Sequence, residues 1–148
     1  MTAAPRVLST IGYEGKTLDE FLGELAAAGV EMVIDVRAVA ASRRPGFSKT
    51  ALSGALRERG IDYVHYRALG TPTAGREAAR KGRIAEMHAI YAGQLEAPEA
   101  QLALEQLLEE ASARHAALLC YERDAACCHR TMLAERIVAR RAFTVCDL

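Results

Sequence analysis

Residues 7–36 read VLSTIGYEGKTLDEFLGELAAAGVEMVIDV, and this stretch decides the fold. Val7 to Ile11 is a short, apolar, β-prone run that stops at Gly12, so it reads as a strand. Thr17-Leu18-Asp19-Glu20 is a capping box, in which the threonine and the glutamate three residues on can each close the other's backbone N–H. Leu18, Phe21, Leu22, Leu25 and Ala26 then fall on one helical stripe, and Gly29 ends it. Met32-Val33-Ile34-Asp35-Val36 follows at once, an unbroken run expected of a strand covered on both faces. Strand, helix and strand with a crossover of this length make a parallel βαβ unit.

The alternation continues outward from that unit. Ser42 to Phe47 reads as a loop with Pro45 and Gly46 at its turn. Ser48 is expected to cap a helix whose stripe is Ala51, Leu52, Ala55, Leu56 and Arg59, stopped by Gly60. Ile61 to Tyr66 reads as a third strand. Leu69 to Gly82, with Gly70, Pro72, Gly75 and Gly82, reads as a loop leading into a helix near residues 83–94. Pro98 suits the first turn of a further helix with Ala100, Ala103, Leu104, Leu107, Leu108 and Ala111 on one face. Ala116 to Tyr121 is a strand, Asp124 the expected N-cap of a last helix to about Arg141, and Phe143 to Cys146 a short edge strand or tail. The expected fold is a single three-layer α/β domain, its sheet mostly parallel, with helices on both faces. In such sheets ligands bind beyond the C-terminal ends of the strands.

The bulk properties bound the function. The chain has 148 residues, the size of one domain, and 51% of them are hydrophobic, enough for a core. No apolar run is long enough to cross a bilayer, and MTAAPRV lacks the charged-then-apolar pattern of a secretory signal. A cytoplasmic location is therefore expected, with no membrane partner. Four cysteines, Cys120, Cys127, Cys128 and Cys146, are then expected to be reduced rather than to form a disulfide framework. The net charge is zero but unevenly spread. Residues 37–83 hold eleven Lys/Arg against three acids (Glu58, Asp62, Glu77), a surplus of eight, which leaves a deficit of eight elsewhere. A basic middle of this kind either attracts an anionic partner or forms solvated helix faces.

The strand ends single out particular residues. Gly12 and Gly15 let the chain turn tightly or approach a ligand closely, or simply make a βα turn. Asp35 lies inside an apolar run, where an unpaired carboxylate is costly, and alternation puts Arg37 on the same side. With Ser42 and Arg43 close behind, this segment reads equally as an anion site, since arginine forks suit phosphate and carboxylate, or as a structural salt bridge. Cys120 ends a strand, and Cys128, His129 and Arg130 lie at or just before the next helix, so Glu122 and these four face one sheet edge. Three readings stay open there. Cys120 or Cys128 is a thiolate nucleophile with His129 or Glu122 moving protons. Or Cys120, Glu122, Cys128 and His129 bind a metal, although Cys-x7-Cys-His is no standard zinc spacing. Or the thiols are buried hydrophobes and only Glu122, His129 and Arg130 touch ligand. A phosphatase or rhodanese loop is excluded on spacing, because nine residues separate Cys120 from Arg130. His65 and His88 sit in regular elements and read as packing or surface residues, and Tyr63, Tyr66 and Tyr91 read as core residues or as pocket lining.

Taken together, these blocks resemble a known family. Thr10-Ile11-Gly12-Tyr13-Glu14-Gly15 with Leu18 and Phe21 is similar to the opening of the bacterial family DUF488, a domain of unknown function. Ile34-Asp35-Val36-Arg37 with Ser42-Arg43, Pro45 and Phe47 resembles its second block. Tyr63-Val64-His65 and Leu69-Gly70-Thr71-Pro72 resemble the third, and Cys120-x-Glu122 with Cys128-His129-Arg130 the last. The resemblance implies a shared set of Asp35, Arg37, Ser42, Arg43, Gly70, Cys120, Glu122, Cys128, His129 and Arg130, without supplying a reaction. The chain departs from the pattern at Ala38-Val39-Ala40, where members often carry proline, and at Thr73-Ala74-Gly75, where a more charged helical stretch is expected.

The leading expectation is an enzyme acting on a phosphate-bearing or other anionic substrate, a nucleotide or nucleic acid among them. Cys120, Glu122, Cys128 and His129 would carry the chemistry, while Gly12, Asp35, Arg37, Ser42, Arg43, Gly70 and Arg130 would bind substrate. The alternatives are a non-catalytic anion- or nucleic-acid-binding module and a Cys/His metal-binding protein.

Overall fold

A computed structural model of the chain describes residues 6–123 and 129–148. Five strands, β1 (Arg6–Gly12), β2 (Met32–Asp35), β3 (Asp62–His65), β4 (Ala116–Cys120) and β5 (Phe143–Asp147), form one sheet in the order β3-β2-β4-β1-β5. Every neighbouring pair is parallel. Around it lie α1 (Leu18–Ala27), α2 (Lys49–Glu58), α3 (Thr73–Arg80), α4 (Ile84–Leu95), α5 (Pro98–Ala113) and α6 (Arg130–Arg140). This is a three-layer α/β fold with a parallel sheet.

The core divides into two layers. On one face Ile11, Val33, Ala117 and Leu119 pack against Phe21, Leu22 and Leu25 of α1 and Leu52 and Leu56 of α2. On the other, Leu8, Ile34, Leu118 and Cys120 pack against Met87, Tyr91, Leu104, Leu107, Leu133 and Ile137 of α4, α5 and α6. Residues alternating along a strand thus feed opposite layers, which explains why β2 and β4 are buried at every position. α1 and α2 follow β1 and β2 onto one face, and α6 follows β4 onto the other. Because β4 sits between β1 and β2, its exit loop leaves the sheet in the opposite direction to theirs, which opens a crevice at their C-terminal ends.

Local signals explain most boundaries. Thr17 and Glu20 form both halves of the capping box of α1. Pro98 takes the first turn of α5. Two expectations change. Ser48 stands at the N-cap of α2 but gives it no side-chain hydrogen bond. Its Oγ instead accepts from the Ser42 N–H at 3.0 Å and donates to the Ser42 carbonyl at 3.2 Å, closing the 42–48 loop. Thr73–Arg80, read above as loop, is the helix α3. Its glycine does not break it, because Gly75 lies against Thr71 Cγ2 and Ile90, where a Cβ would come within 2.5 Å of the former. The proposed cap Asp124 lies outside the described residues, and α6 is described from Arg130.

Candidate functional site

β2 ends in a buried ion pair that shapes the crevice. Asp35 is fully buried, and Arg37 Nη2 meets its Oδ2 at 2.7 Å while Nε lies 2.9 Å from Oδ1 and 3.1 Å from Oδ2. The Tyr63 hydroxyl donates to the same Oδ2 at 2.5 Å, and the Arg37 backbone N–H to Oδ1 at 3.1 Å. Nη1 of Arg37 reaches on to the Phe47 carbonyl at 2.7 Å and the Tyr13 hydroxyl at 3.3 Å. Burial opposes the charge on Arg37, but hydrogen bonds and attraction from Asp35, with a smaller contribution from Tyr13, outweigh it and hold the guanidinium charged. A buried pair of this kind keeps its value only when its remaining donors and acceptors are satisfied, as they are here. Its structural effect is to fasten residues 38–47 over the end of β2.

Two of the glycines serve backbone contact rather than a turn. A Cβ at Gly12 would lie 1.7 Å from the Glu122 carbonyl oxygen and 2.5 Å from its carbon. At Gly70 it would lie 2.2 Å from the Ala38 nitrogen and 2.4 Å from its Cα. Each glycine therefore lets two distant segments touch through their main chains. Gly15, by contrast, has φ +75° and makes the turn after β1. In that turn, Glu14 N–H donates to the Tyr121 carbonyl at 2.9 Å, and Arg123 N–H to Glu14 Oε1 at 3.0 Å, which ties the exits of β1 and β4 together.

The end of β4 carries the chemical groups. Cys120 is buried, and its Sγ lies 3.4 Å from Oε2 of Glu122. Cys120 is disulfide-bonded. In that state the sulfur has no proton to donate, so the contact with Glu122 becomes a hydrogen bond only in the thiol form. The expectation of reduced cysteines therefore fails at Cys120: a compartment sets the bulk redox poise, whereas each thiol responds to its own neighbours. Cys146 is a free, exposed thiol, and Cys127 and Cys128 lie outside the described residues. Burial raises the Glu122 carboxyl above its ordinary range; its own backbone hydrogen bond and the Arg130 charge oppose this, and Glu14 adds to it.

His129 is buried at the mouth of α6. Its Nε2 donates to the Val36 carbonyl at 2.8 Å, the assignment the acceptor requires, and its ring packs 4.8 Å from that of Tyr91. Burial, with repulsion from Arg130, outweighs the Val36 hydrogen bond and pulls its pKa down to about 4, so the imidazole is neutral at pH 7. Arg130 is buried too, and Nη2 donates to the Glu122 carbonyl at 2.6 Å while Nη1 lies 3.4 Å from Thr10 Oγ1. It thus grips the strand-end backbone from below.

These pieces surround one cavity of about 1060 Å³ at the C-terminal edge of the sheet. Arg37, Ser42, Arg43, Cys120, Glu122 and His129 line it. Two segments remote in sequence, near residues 37–43 and 120–129, therefore meet at one space. Asp35, Gly12, Gly70 and Arg130 stand behind its wall, and Cys128 lies outside the described residues. The cavity also brings in Thr71, Arg76, Arg80 and Tyr121, which the sequence reading passed over. A signal for the two arginines did exist: Arg76 and Arg80 are four apart in an alanine-rich stretch, a helical spacing, and both fall in the basic middle segment. Among the described residues, four arginines face two glutamates, Glu14 and Glu122, around the space. Among the described residues no group of three His, Cys, Asp or Glu is placed to hold a metal, and no helix is long and apolar enough to cross a membrane.

Fold and site define a parallel three-layer α/β domain with an arginine-lined crevice at the switch in strand order. The chain belongs to DUF488, the "Domain of unknown function DUF488", which matches residues 17–137. That match takes in the blocks at 34–47, 63–72 and 120–130 and begins after the Gly12–Gly15 turn. No curated protein and no solved structure gave a significant match.

Proposed function

We propose that this protein is a cytoplasmic enzyme acting on a phosphate-bearing or otherwise anionic substrate, a nucleotide being within that class. The observation that carries the reading is the meeting of Glu122, His129 and Cys120 with Arg43 and the other lining arginines at one cavity of about 1060 Å³. The arginines supply the positive field. Glu122, drawn toward the protonated form by burial, is suited to donate a proton and take it back. His129 enters as a neutral ring anchored on Val36 rather than as a cation. In the thiol form, Cys120 lies within reach of the Glu122 carboxylate, which could remove its proton; in the disulfide form it is no nucleophile. Cytosolic disulfides are mostly transient and catalytic or redox-sensing, so a disulfide at this cavity is compatible with the proposed location.

The test is 31P NMR of the reduced and oxidised protein with phosphate monoesters, diesters and nucleotides. Turnover of one of them, lost in Glu122→Gln, supports the reading. Shifted resonances without turnover in either redox state would favour the second reading, a binding module without chemistry, which the surplus of eight positive charges in residues 37–83 motivates.

A further inference from the structure

Three sets of arginines in this chain differ in what they meet. Arg37 and Arg130 are buried and hold protein groups. On the surface away from the cavity, Arg114, Arg136, Arg140 and Arg141 are each paired with a carboxylate, on Asp62, Glu96, Glu105 and Glu109. Arg43, Arg76 and Arg80 line the cavity, and among the described residues no carboxylate forms an ion pair with any of them. Arg76 and Arg80 lie four apart on α3, where like charges repel rather than stabilise. α3 itself is fixed, with Gly75 and Ala78 buried and Gly75 close against Thr71 and Ile90. Arg76 Nη2 is further steadied by Thr73 Oγ1 at 3.0 Å. A rigid helix thus presents two uncompensated guanidinium groups to the same space as Arg43, which is the arrangement that binds a phosphate.

Part of the wall is apolar. Val39 and Tyr121 are among the few large hydrophobic side chains the surface exposes, at 51% and 45%, and both line this cavity with Ile84 and Met87. Tyr121 stands edge-on to Tyr13, with ring centroids 5.3 Å apart. A ligand with only an anionic group would leave that surface in water. The space exceeds what a bare phosphate fills, and it lies at the upper end of the usual range for small-molecule sites, roughly 300–1,000 Å³.

We infer that the cavity takes a nucleoside phosphate, its phosphate held by Arg76, Arg80 and Arg43 and its planar base against Tyr121 and the Val39–Ile84–Met87 wall. This rests on the anionic-substrate reading above and names the substrate class and the residues that select it. The gathering of these three arginines at one cavity of about 1060 Å³ suits a mononucleotide rather than an extended strand, which needs a continuous basic track.

Isothermal titration at low salt with AMP, ribose 5-phosphate and adenosine tests it on the wild type, Arg76→Ala/Arg80→Ala and Tyr121→Ala. Each lost charge-assisted contact is expected to weaken AMP about tenfold or more, with adenosine unchanged. Tyr121→Ala should weaken AMP and adenosine alike and leave ribose 5-phosphate unaffected. Arg76→Lys/Arg80→Lys, which keeps the charge and α3, should recover part of the affinity. AMP binding unchanged in the double alanine variant would overturn the assignment while leaving the anionic-substrate reading intact. Ribose 5-phosphate binding as tightly as AMP, or a 12-nucleotide strand binding far more tightly, would overturn the nucleoside phosphate. If none of these compounds binds the wild type, the inference falls, and if inorganic phosphate and other phosphate esters also fail to bind, the reading beneath it falls with it.

Discussion

Gly12→Ala should damage this protein more than its one added methyl suggests. The new Cβ would sit 1.7 Å from the Glu122 carbonyl oxygen, far inside contact, and the obstacle is backbone that cannot rotate away. Either β1 or the end of β4 must move. Overpacking of this kind costs about 1–3 kcal/mol. Moving Glu122 also weakens the 2.6 Å bond from Arg130 Nη2 to its carbonyl, a charged bond inside the fold worth about 1.5–3 kcal/mol. The sum is about 2.5–6 kcal/mol, a large share of the ~5–15 kcal/mol that keeps a domain folded, and lowers Tm by about 5 °C or more. The control is Gly23→Ala, within α1, where an added Cβ meets nothing within 4 Å. There the better helix former should stabilise by about 0.5–1 kcal/mol. Urea titration and thermal circular dichroism read both. A Gly12→Ala protein melting within about 2 °C of the wild type would refute the reasoning, because the main chains of residues 12 and 122 would then not be in contact.

Asp35→Asn leaves Arg37 buried without its counter-charge and should destabilise by about 3–5 kcal/mol, whereas Tyr63→Phe, which removes one donor to the same carboxylate, should cost about 1 kcal/mol; chemical denaturation measures both. His129 has a pKa lowered from 6.5 to about 4, so the unfolded chain takes up its proton first as pH falls. Stability from this group is complete above pH 6.5, is lost progressively down to about pH 4, and amounts to about 3 kcal/mol. Urea midpoints measured across that window should slope less steeply in His129→Gln. Glu122 runs the other way: its raised pKa makes ionisation a burden on the fold as pH rises above the ordinary 4.5. Glu122→Gln should therefore gain stability relative to the wild type from that pH upward, and a relative loss there would contradict the burial argument.

Period alone was enough to put Asp35 and Arg37 on one side, where they pair, and the unbroken run before them to make β2 a strand covered on both faces. The capping box at Thr17 likewise needs only neighbours in the chain. What could not be read from neighbours is why Gly12 and Gly70 are glycine: the atoms that exclude a side chain there belong to Glu122 and Ala38, brought close only by the finished sheet. α3 was hidden because Pro72 and Gly75 look like breakers, although proline stands just before the helix and glycine fits the close packing against Thr71 and Ile90. With α3 unread, Arg76 and Arg80 remained part of a charge count instead of a wall. Ser48 shows the same limit on a small scale, since its hydroxyl had two possible partners and the loop took it from the helix.

The strand order also fixes when the molecule can come together. β1 and β2 never pair with each other; both pair with β4, which is completed only at Cys120. Until then β2 and β3 have only each other to pair with, β1 has no partner strand, and the helices have no shared centre to cover. The last of the middle strands to be synthesised is the keystone, so assembly waits on long-range pairing and is expected to be slow for a domain of this length.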